Sequence, residues 1–388
     1  MSKKESGLAL LPNGFADVLP PRAEGEAQSI DLLMKTFRGF GYQRIKPPLL
    51  EFEDSLLAPG VGERLAGETF RLMDPVSHRM LGVRSDITPQ IARIASSRLE
   101  HAPRPLRLTY ANDVLRIRGT QMRTERQFTQ TGCEIVGGTD SAQTDAEICV
   151  LAILGLKALG LTDITLDLTI PNFVTRILSR GALDEVQRET LEKAVERRDY
   201  DALVRDGGKE SEKMAAALHA SGAHKGALEK LQSIALDEDI AQDVVRLIAL
   251  CGLLEDALDD LGISDVKISI DVLEQAGFEY HKGLGFTLFC AGVHGELGRG
   301  GCYDVRFGCD EASESAKGFT LYMDTIGKIY VPVQSDKKIL IDLDEKWNVL
   351  IDLQEQGWLT MRGASQEEAL RNGCSHLYKD GKIVEIST

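Results

Sequence analysis

The sequence predicts an α+β protein with a helical insert and a small separate α/β lobe at its C-terminal end. Three observations carry this expectation. Residues 115–137, LRIRGTQMRTERQFTQTGCEIVG, read as two strands joined by a basic loop. From about 172 to 261 the text is almost wholly helical in pattern and rich in Ala, Leu, Glu, Lys and Asp, before extended patterns return at Val266, Ile268 and Ile270. A block of helix set between strands reads as an insert in an α+β domain. Past Tyr330 short strands and helices alternate. We therefore expect a main domain over 1–330, with its insert at about 175–262, and a small domain over 331–388.

In chain order, an arm with turn residues Pro12-Asn13-Gly14 and Pro20-Pro21 leads into an amphipathic helix over 24–40, where Ile30, Leu33, Met34 and Phe37 recur at helical spacing. Residues 42–52 form a strand candidate interrupted by Pro47-Pro48, which places it at a sheet edge or leads it into an interface. A loop with a short helix fills 53–68, and two short strands flank Asp74-Pro75. A helix then runs to about Leu99, with Thr88 as N-cap and Pro89 at its first position. After the basic hairpin come a helix over 143–159 and a strand alternating at Ile164, Leu166, Leu168 and Ile170. Strand signals follow the insert across 284–293. Glycines 298, 300 and 301 suit a tight hairpin, and 317–321 begins a helix or a strand. The tail reads as strand 338–341, helix 345–356, strand 358–362, helix 365–372 and mostly strand to 386.

At 43% hydrophobic and 27% charged residues, the composition is that of a soluble globular protein. A net charge of −15 argues against nucleic acid as the main partner. The seven cysteines are scattered and never form a C-x-x-C pair, which points to reduced thiols in a cytoplasmic protein without a zinc ribbon. The longest apolar run, 148–156, is too short to span a bilayer. There is no phosphate-binding P-loop, no dinucleotide fingerprint, no histidine pair at metal-ligand spacing and no nucleophile elbow. No cofactor and no metal are expected.

The candidate binding surface is the second strand of the hairpin. Strand residues alternate faces, so Gln130, Gly132 and Glu134 share one side with Phe128 and Val136. An amide, a gap and a carboxylate suit a small polar ligand lying flat on a sheet. The plainer alternative is a solvated strand face. Asp86 sits where a strand meets a helix start, a common place for a ligand-facing carboxylate, whereas Thr88 can be a cap alone.

The order of these features resembles the catalytic domain of histidyl-tRNA synthetases, from about Gly14 to about Ile326. That resemblance implies a class II aminoacyl-tRNA synthetase fold, an antiparallel sheet flanked by helices. Pro47-Pro48 lies in a segment that resembles the dimer-forming first class II motif. Residues 116–134 resemble the second motif, with 128–134, FTQTGCE, close to the synthetase wording. Residues 84–88, RSDIT, resemble the segment that holds the amino group of histidine, with Asp86 in place of Glu. Residues 277–281, GFEYH, and 300–304, GGCYD, resemble the two histidine-specific stretches. The resemblance implies a histidine site from Asp86, Thr88, Arg116, Gln130, Glu134, Tyr280, His281 and Tyr303.

Departures from the synthetase pattern fall on adenylation. Ala276 and Thr325 stand where the family carries arginines, and Arg118 replaces an acidic ATP contact. Each such preorganised charge is worth roughly 100-fold or more in rate. A synthetase fold that keeps a histidine pocket without adenylation chemistry resembles the regulatory subunits of ATP phosphoribosyltransferase. That resemblance implies a non-catalytic chain in the first step of histidine biosynthesis, partnered by a short-form catalytic subunit. It also implies a self-dimer within a hetero-octamer, L-histidine as feedback effector, and neither tRNA nor membrane as partner. The alternatives are an active histidyl-tRNA synthetase and a synthetase-like amino-acid sensor serving another enzyme.

Overall fold

The computed structural model describes residues 10–119, 123–275, 277, 281–305, 313–330 and 337–386. The chain divides into two compact units, Met1–Tyr330 and Val331–Thr388. The first opens with α1 (Arg22–Gly39), then β1 (Gln43–Arg44) and β2 (Leu50–Phe52) on either side of the proline pair, α2 (Glu53–Leu56), and the short strands β3 (Arg71–Met73) and β4 (Met80–Val83). Next come α3 (Thr88–Arg93), extended by a π-turn to Arg98, the long strands β5 (Leu106–Leu115) and β6 (Gln127–Val136), α4 (Ala142–Ala158) and β7 (Ile164–Thr169).

The insert consists of α5 (Phe173–Leu178), α6 (Glu185–Glu196), α7 (Tyr200–Asp206), α8 (Lys209–Ala220), β8 (Gly222–Ala223), α9 (His224–Gln232) and α10 (Glu238–Asp260). Strands β9 (Val266–Ile270), β10 (His281–Cys290), β11 (Gly298–Val305) and β12 (Glu314–Tyr322) complete the unit, followed by α11 (Met323–Ile326).

Nine strands form one sheet in the order β1-β5-β6-β12-β11-β10-β7-β9-β8. Its centre is antiparallel, but β1 runs parallel to β5 and β7 parallel to β9. The expectation of an antiparallel sheet is corrected at these two places. A parallel pair needs a long crossover, and the helical insert is the crossover between β7 and β9. Strands β2, β4 and β3 form a separate three-stranded sheet.

Alternation along β6 falls as expected. Cys133 and Ile135 enter the core built with Leu33 and Phe37 of α1 and Leu156 of α4. Phe128 and Val136 enter the core of the other face, with Ile87, Ile91 and Tyr110. Phe37 meets Phe319 edge to face, with ring centroids 5.5 Å apart, a geometry the aromatic quadrupole favours.

Two local expectations change and one open alternative is settled. Thr88 is the first residue of α3, not its cap: Asp86 Oδ1 accepts the Thr88 N–H at 2.9 Å, which leaves the threonine side chain out of the capping bond. Residues 317–321 are strand, within β12. Glycines 298, 300 and 301 lie inside β11 rather than in a turn. A Cβ on Gly298 or Gly300 would press on the backbone of β12, and one on Gly301 on the His281 ring and the backbone of β10.

The second unit is a four-stranded sheet, β14-β13-β15-β16, of β13 (Lys338–Ile341), β14 (Leu359–Arg362), β15 (His376–Lys379) and β16 (Lys382–Glu385). Its helices are α12 (Trp347–Glu355) and α13 (Gln366–Arg371). Alternation in β13 splits its apolar residues between two small cores. Ile339 and Ile341 meet Leu350 and Leu353 of α12, and Leu340 meets Ala369 of α13. Among the described residues no helix is long and apolar enough to cross a membrane.

Candidate functional site

A cavity of about 650 Å³ opens over the centre of the sheet, where β6, β12 and β11 lie side by side. That volume is within the usual range for small-molecule sites. Its wall includes Asp86, Thr88, Arg116, Glu134, His281 and Tyr303, six of the eight residues singled out from sequence. Tyr280 lies outside the described residues. Gln130 is fully buried and does not line the cavity.

Glu134 forms the deep end. Its carboxylate accepts from the Tyr303 hydroxyl at 3.0 Å and from the Tyr110 hydroxyl at 3.4 Å. Among the described residues no cation pairs with it. Burial, which disfavours the charged form, pushes its carboxyl up to about 8, with nearby Asp86 adding to the rise and the two phenols opposing it. The side chain has this position because its cross-strand neighbour is Gly318, where any Cβ would overlap the carboxylate. Gly132 has a different purpose from the one expected. The space above it is filled by the ring of Tyr110, its partner on β5, so the glycine makes room for a protein side chain and not for a ligand. Tyr110 in turn shares a hydrogen bond of 2.8 Å with Thr320. His281 also borders this end. Burial and the nearby Arg299 charge hold its imidazole down at about 3, so it is neutral at ordinary pH.

Gln130 reaches from β6 to the turn between β4 and α3. Its Oε1 accepts the Ile87 N–H at 3.1 Å and its Nε2 donates to Asp86 Oδ2 at 2.9 Å. Together with the Thr88 N–H, this engages both Asp86 oxygens. Gln130 therefore fixes a cavity residue and does not itself face the cavity, which corrects the expectation of an amide offered to the ligand.

The outer part of the cavity is ionic. Arg116 lies 3.5 Å from Glu68 and 4.0 Å from Asp86. Arg123 is buried over the Tyr322 ring, 3.7 Å from its centroid, and donates from Nε to Asp324 at 2.9 Å. Arg299 donates to Glu296. Arg126 supports the backbone instead, bonding the Arg116 and Asn13 carbonyls and stacking near Phe15 and Phe70. Thr325 lines the cavity at the position where the synthetase pattern carries an arginine.

Sequence reading missed Tyr110, Gly318, Glu296, Arg299 and Tyr322. Arg299 and Glu296 stood in the glycine-rich run 296–304, but their spacing of three gave no sign that both would turn to the cavity. The cross-strand register that seats Glu134 over Gly318 emerges only from the pairing of β6 with β12.

A family model described as histidyl-tRNA synthetase matches residues 14–326. An ATP phosphoribosyltransferase regulatory subunit from Rhodospirillum centenum is 44% identical, covering 98% of this chain and 97% of its own length. One of the same description from Rhodospirillum rubrum is 39% identical over the full length of both. The chain belongs to the ATP phosphoribosyltransferase regulatory subunit family. The fold of this family member is also that of a Bacillus halodurans structure described as an ATP phosphoribosyltransferase regulatory subunit/histidyl-tRNA synthetase. That structure has a TM-score of 0.78 at 21% identity and covers 97% of this chain and 99% of its own. In this regulatory-subunit member the deep carboxylate, its phenols and Asp86 line one polar part of the cavity, while the outer cations are met by the protein's own acids.

Proposed function

We propose that this regulatory subunit binds L-histidine in the cavity and conveys that binding to a separate, short-form catalytic subunit of ATP phosphoribosyltransferase. The observation that carries the reading is Glu134, fully buried and, among the described residues, held by hydroxyls alone. A buried carboxylate without a cation favours a ligand that brings a positive charge or an N–H donor. Histidine brings both, in its imidazole and its ammonium. Asp86, fixed by Gln130, is the acceptor for the second of these groups. Arg116, at the outer side of Asp86, is placed for the ligand carboxylate, which a guanidinium can meet bidentately. A site of buried polar groups discriminates strongly, because analogues leave those groups unpaired.

The chain is not a catalyst in this reading. Thr325 offers no cation for a phosphate, and Arg123 is already taken by Asp324. Feedback is then a coupling free energy between the histidine cavity and the catalytic chain, within a hetero-octamer built on a dimer of this subunit in the cytoplasm.

The test is ATP phosphoribosyltransferase turnover by a short-form catalytic subunit, with and without this chain, with histidine titrated in. A raised rate that histidine suppresses is the expected result. Absence of both effects, with no co-purification of the two chains, defeats the proposal. Robust histidine-dependent ATP–pyrophosphate exchange would establish adenylation instead.

A further inference from the structure

The outer wall of the cavity contains a chain of alternating charges. Asp324 meets Arg123 at 2.9 Å. Glu296 Oε1 lies 3.8 Å from Arg123 Nη2. Glu296 Oε2 accepts from Arg299, whose Nε lies 3.0 Å away. One carboxylate thus bridges two guanidinium groups, one from the basic loop and one from β11. The geometry is tightly supported. Arg123 is held flat over Tyr322, and the Arg299 guanidinium fills the space beside Gly277, a positive-φ residue whose Cβ would overlap it. Glu296 follows Gly295, also at positive φ, at the end of the β10–β11 turn.

Two arginines converging on one point make a strong site for a multiply charged oxyanion, because the planar fork matches phosphate geometry. Here that point is occupied by a carboxylate of the same chain. We propose that Glu296 is a specificity-determining residue which, as a built-in anion bridging Arg123 and Arg299, keeps polyphosphate anions out of the cavity. An incoming pyrophosphate would have to displace Glu296 and leave it beside its own negative charge. A zwitterionic amino acid carries a single carboxylate and can turn to Arg116 outside this bridge, whose own acids stand farther off, Glu68 at 3.5 Å and Asp86 at 4.0 Å. The inference deepens the histidine reading by saying what the same cavity rejects, and it rests on that reading only for the identity of the ligand that is accepted.

The experiment uses the full chain and inorganic pyrophosphate, titrated calorimetrically at low ionic strength into the wild type, Glu296→Gln and Glu296→Ser. Both variants remove the charge while differing in shape, and folding is checked by thermal melting. The expected result is a gain of roughly ten- to a hundredfold in pyrophosphate affinity in the charge-removed variants, the scale of one charge-assisted hydrogen bond. Glu296→Asp should stay at the wild-type level. Adding Arg299→Gln to Glu296→Gln should abolish the gain. No gain in a folded charge-removed variant overturns the proposal, and so does a gain that survives Arg299→Gln, since the anion would then bind elsewhere. Histidine titrated into the same wild-type protein is scored separately. Its failure to bind defeats the histidine reading and leaves the pyrophosphate comparison intact.

Discussion

Two buried carboxylates lie on opposite faces of the sheet, and they are treated in opposite ways. Glu134 projects from β6 into the cavity and, among the described residues, has only phenolic hydroxyls for company. Asp145, on α4 under the other face, receives Lys317 at 2.6 Å, Arg246 at 2.6 Å and the Cys302 thiol at 3.2 Å. Lys317 is itself buried and also meets Asp140, whose carboxyl Arg246 and Lys317 together hold down at about 2. Burial is nearly equal at the two carboxylates, so burial does not separate them. The completeness of the local charge balance does. A buried charge matched by cations is scaffold, here joining α4, α10 and β12. One matched only by neutral donors has capacity left for something that arrives.

The comparison is broken most forcefully at its scaffold side. Asp145→Ala leaves Lys317 and Arg246 with Asp140 as their one remaining carboxylate among the described residues, and stranding part of a buried ion network costs about 3–5 kcal/mol. Urea denaturation should show that loss, whereas Glu134→Gln should leave the midpoint unchanged or raised. A midpoint that falls equally in both variants would erase the distinction between them.

On the ligand side the order reverses. Glu134→Gln should weaken histidine binding roughly ten- to a hundredfold, the loss of one charge-assisted hydrogen bond. Calorimetry on the folded variant measures it, and an unchanged affinity would move the histidine site elsewhere.

A pH series sharpens the same contrast. Glu134 has its folded value raised above the ordinary carboxylate value of 4.5 to about 8. The unfolded chain therefore holds fewer protons than the folded one in this window, and the stability present below 4.5 is lost as pH rises toward 8. His281, with its folded value lowered to about 3, acts in the opposite range: its contribution is present above its ordinary 6.5 and is lost as pH falls toward 3. Between pH 6.5 and 8 the slope that separates wild type from Glu134→Gln is thus that of Glu134. Melting temperatures across that window should fall more steeply in the wild type, and parallel curves would show that the carboxyl is not raised.

The smallest effect belongs to Gln130→Ala. Releasing Asp86 and the Ile87 N–H from β6 should cost histidine affinity about fivefold, the worth of an indirect hydrogen bond near 1 kcal/mol. A loss as large as that of Glu134→Gln would mean that Gln130 touches the ligand after all.

Much of the molecule is legible in its residues, for physical reasons. Alternation places Glu134 on the right face of β6, because period two survives any tertiary context that keeps the strand. The block of helical sequence at 172–261 marks the insert, though not the parallel pairing of β7 with β9 that it allows. The role of Gly132 is misread because a glycine in a strand signals close approach without saying by what. Tyr110 occupies the space, and only the register of β5 against β6 can assign it. Asp86 takes the capping bond expected of Thr88 for a similar reason, while still lining the cavity: an Asp two residues before a helical N–H competes with the neighbouring Thr for that bond. Arg299 and Glu296 stay hidden behind the glycines around them.

Gly318 has a consequence for how the cavity can be surveyed. Its importance lies in atoms it does not have, since the Glu134 carboxylate occupies the volume a methyl group would claim. Truncation to alanine, the standard way of finding residues that matter, would here be an addition, and the mildest change in a substitution table would become the most disruptive. Relatives that hold the same carboxylate in the same place should therefore scarcely vary at this position. Any lineage that acquired an alanine there should have lost the acid on β6 as well.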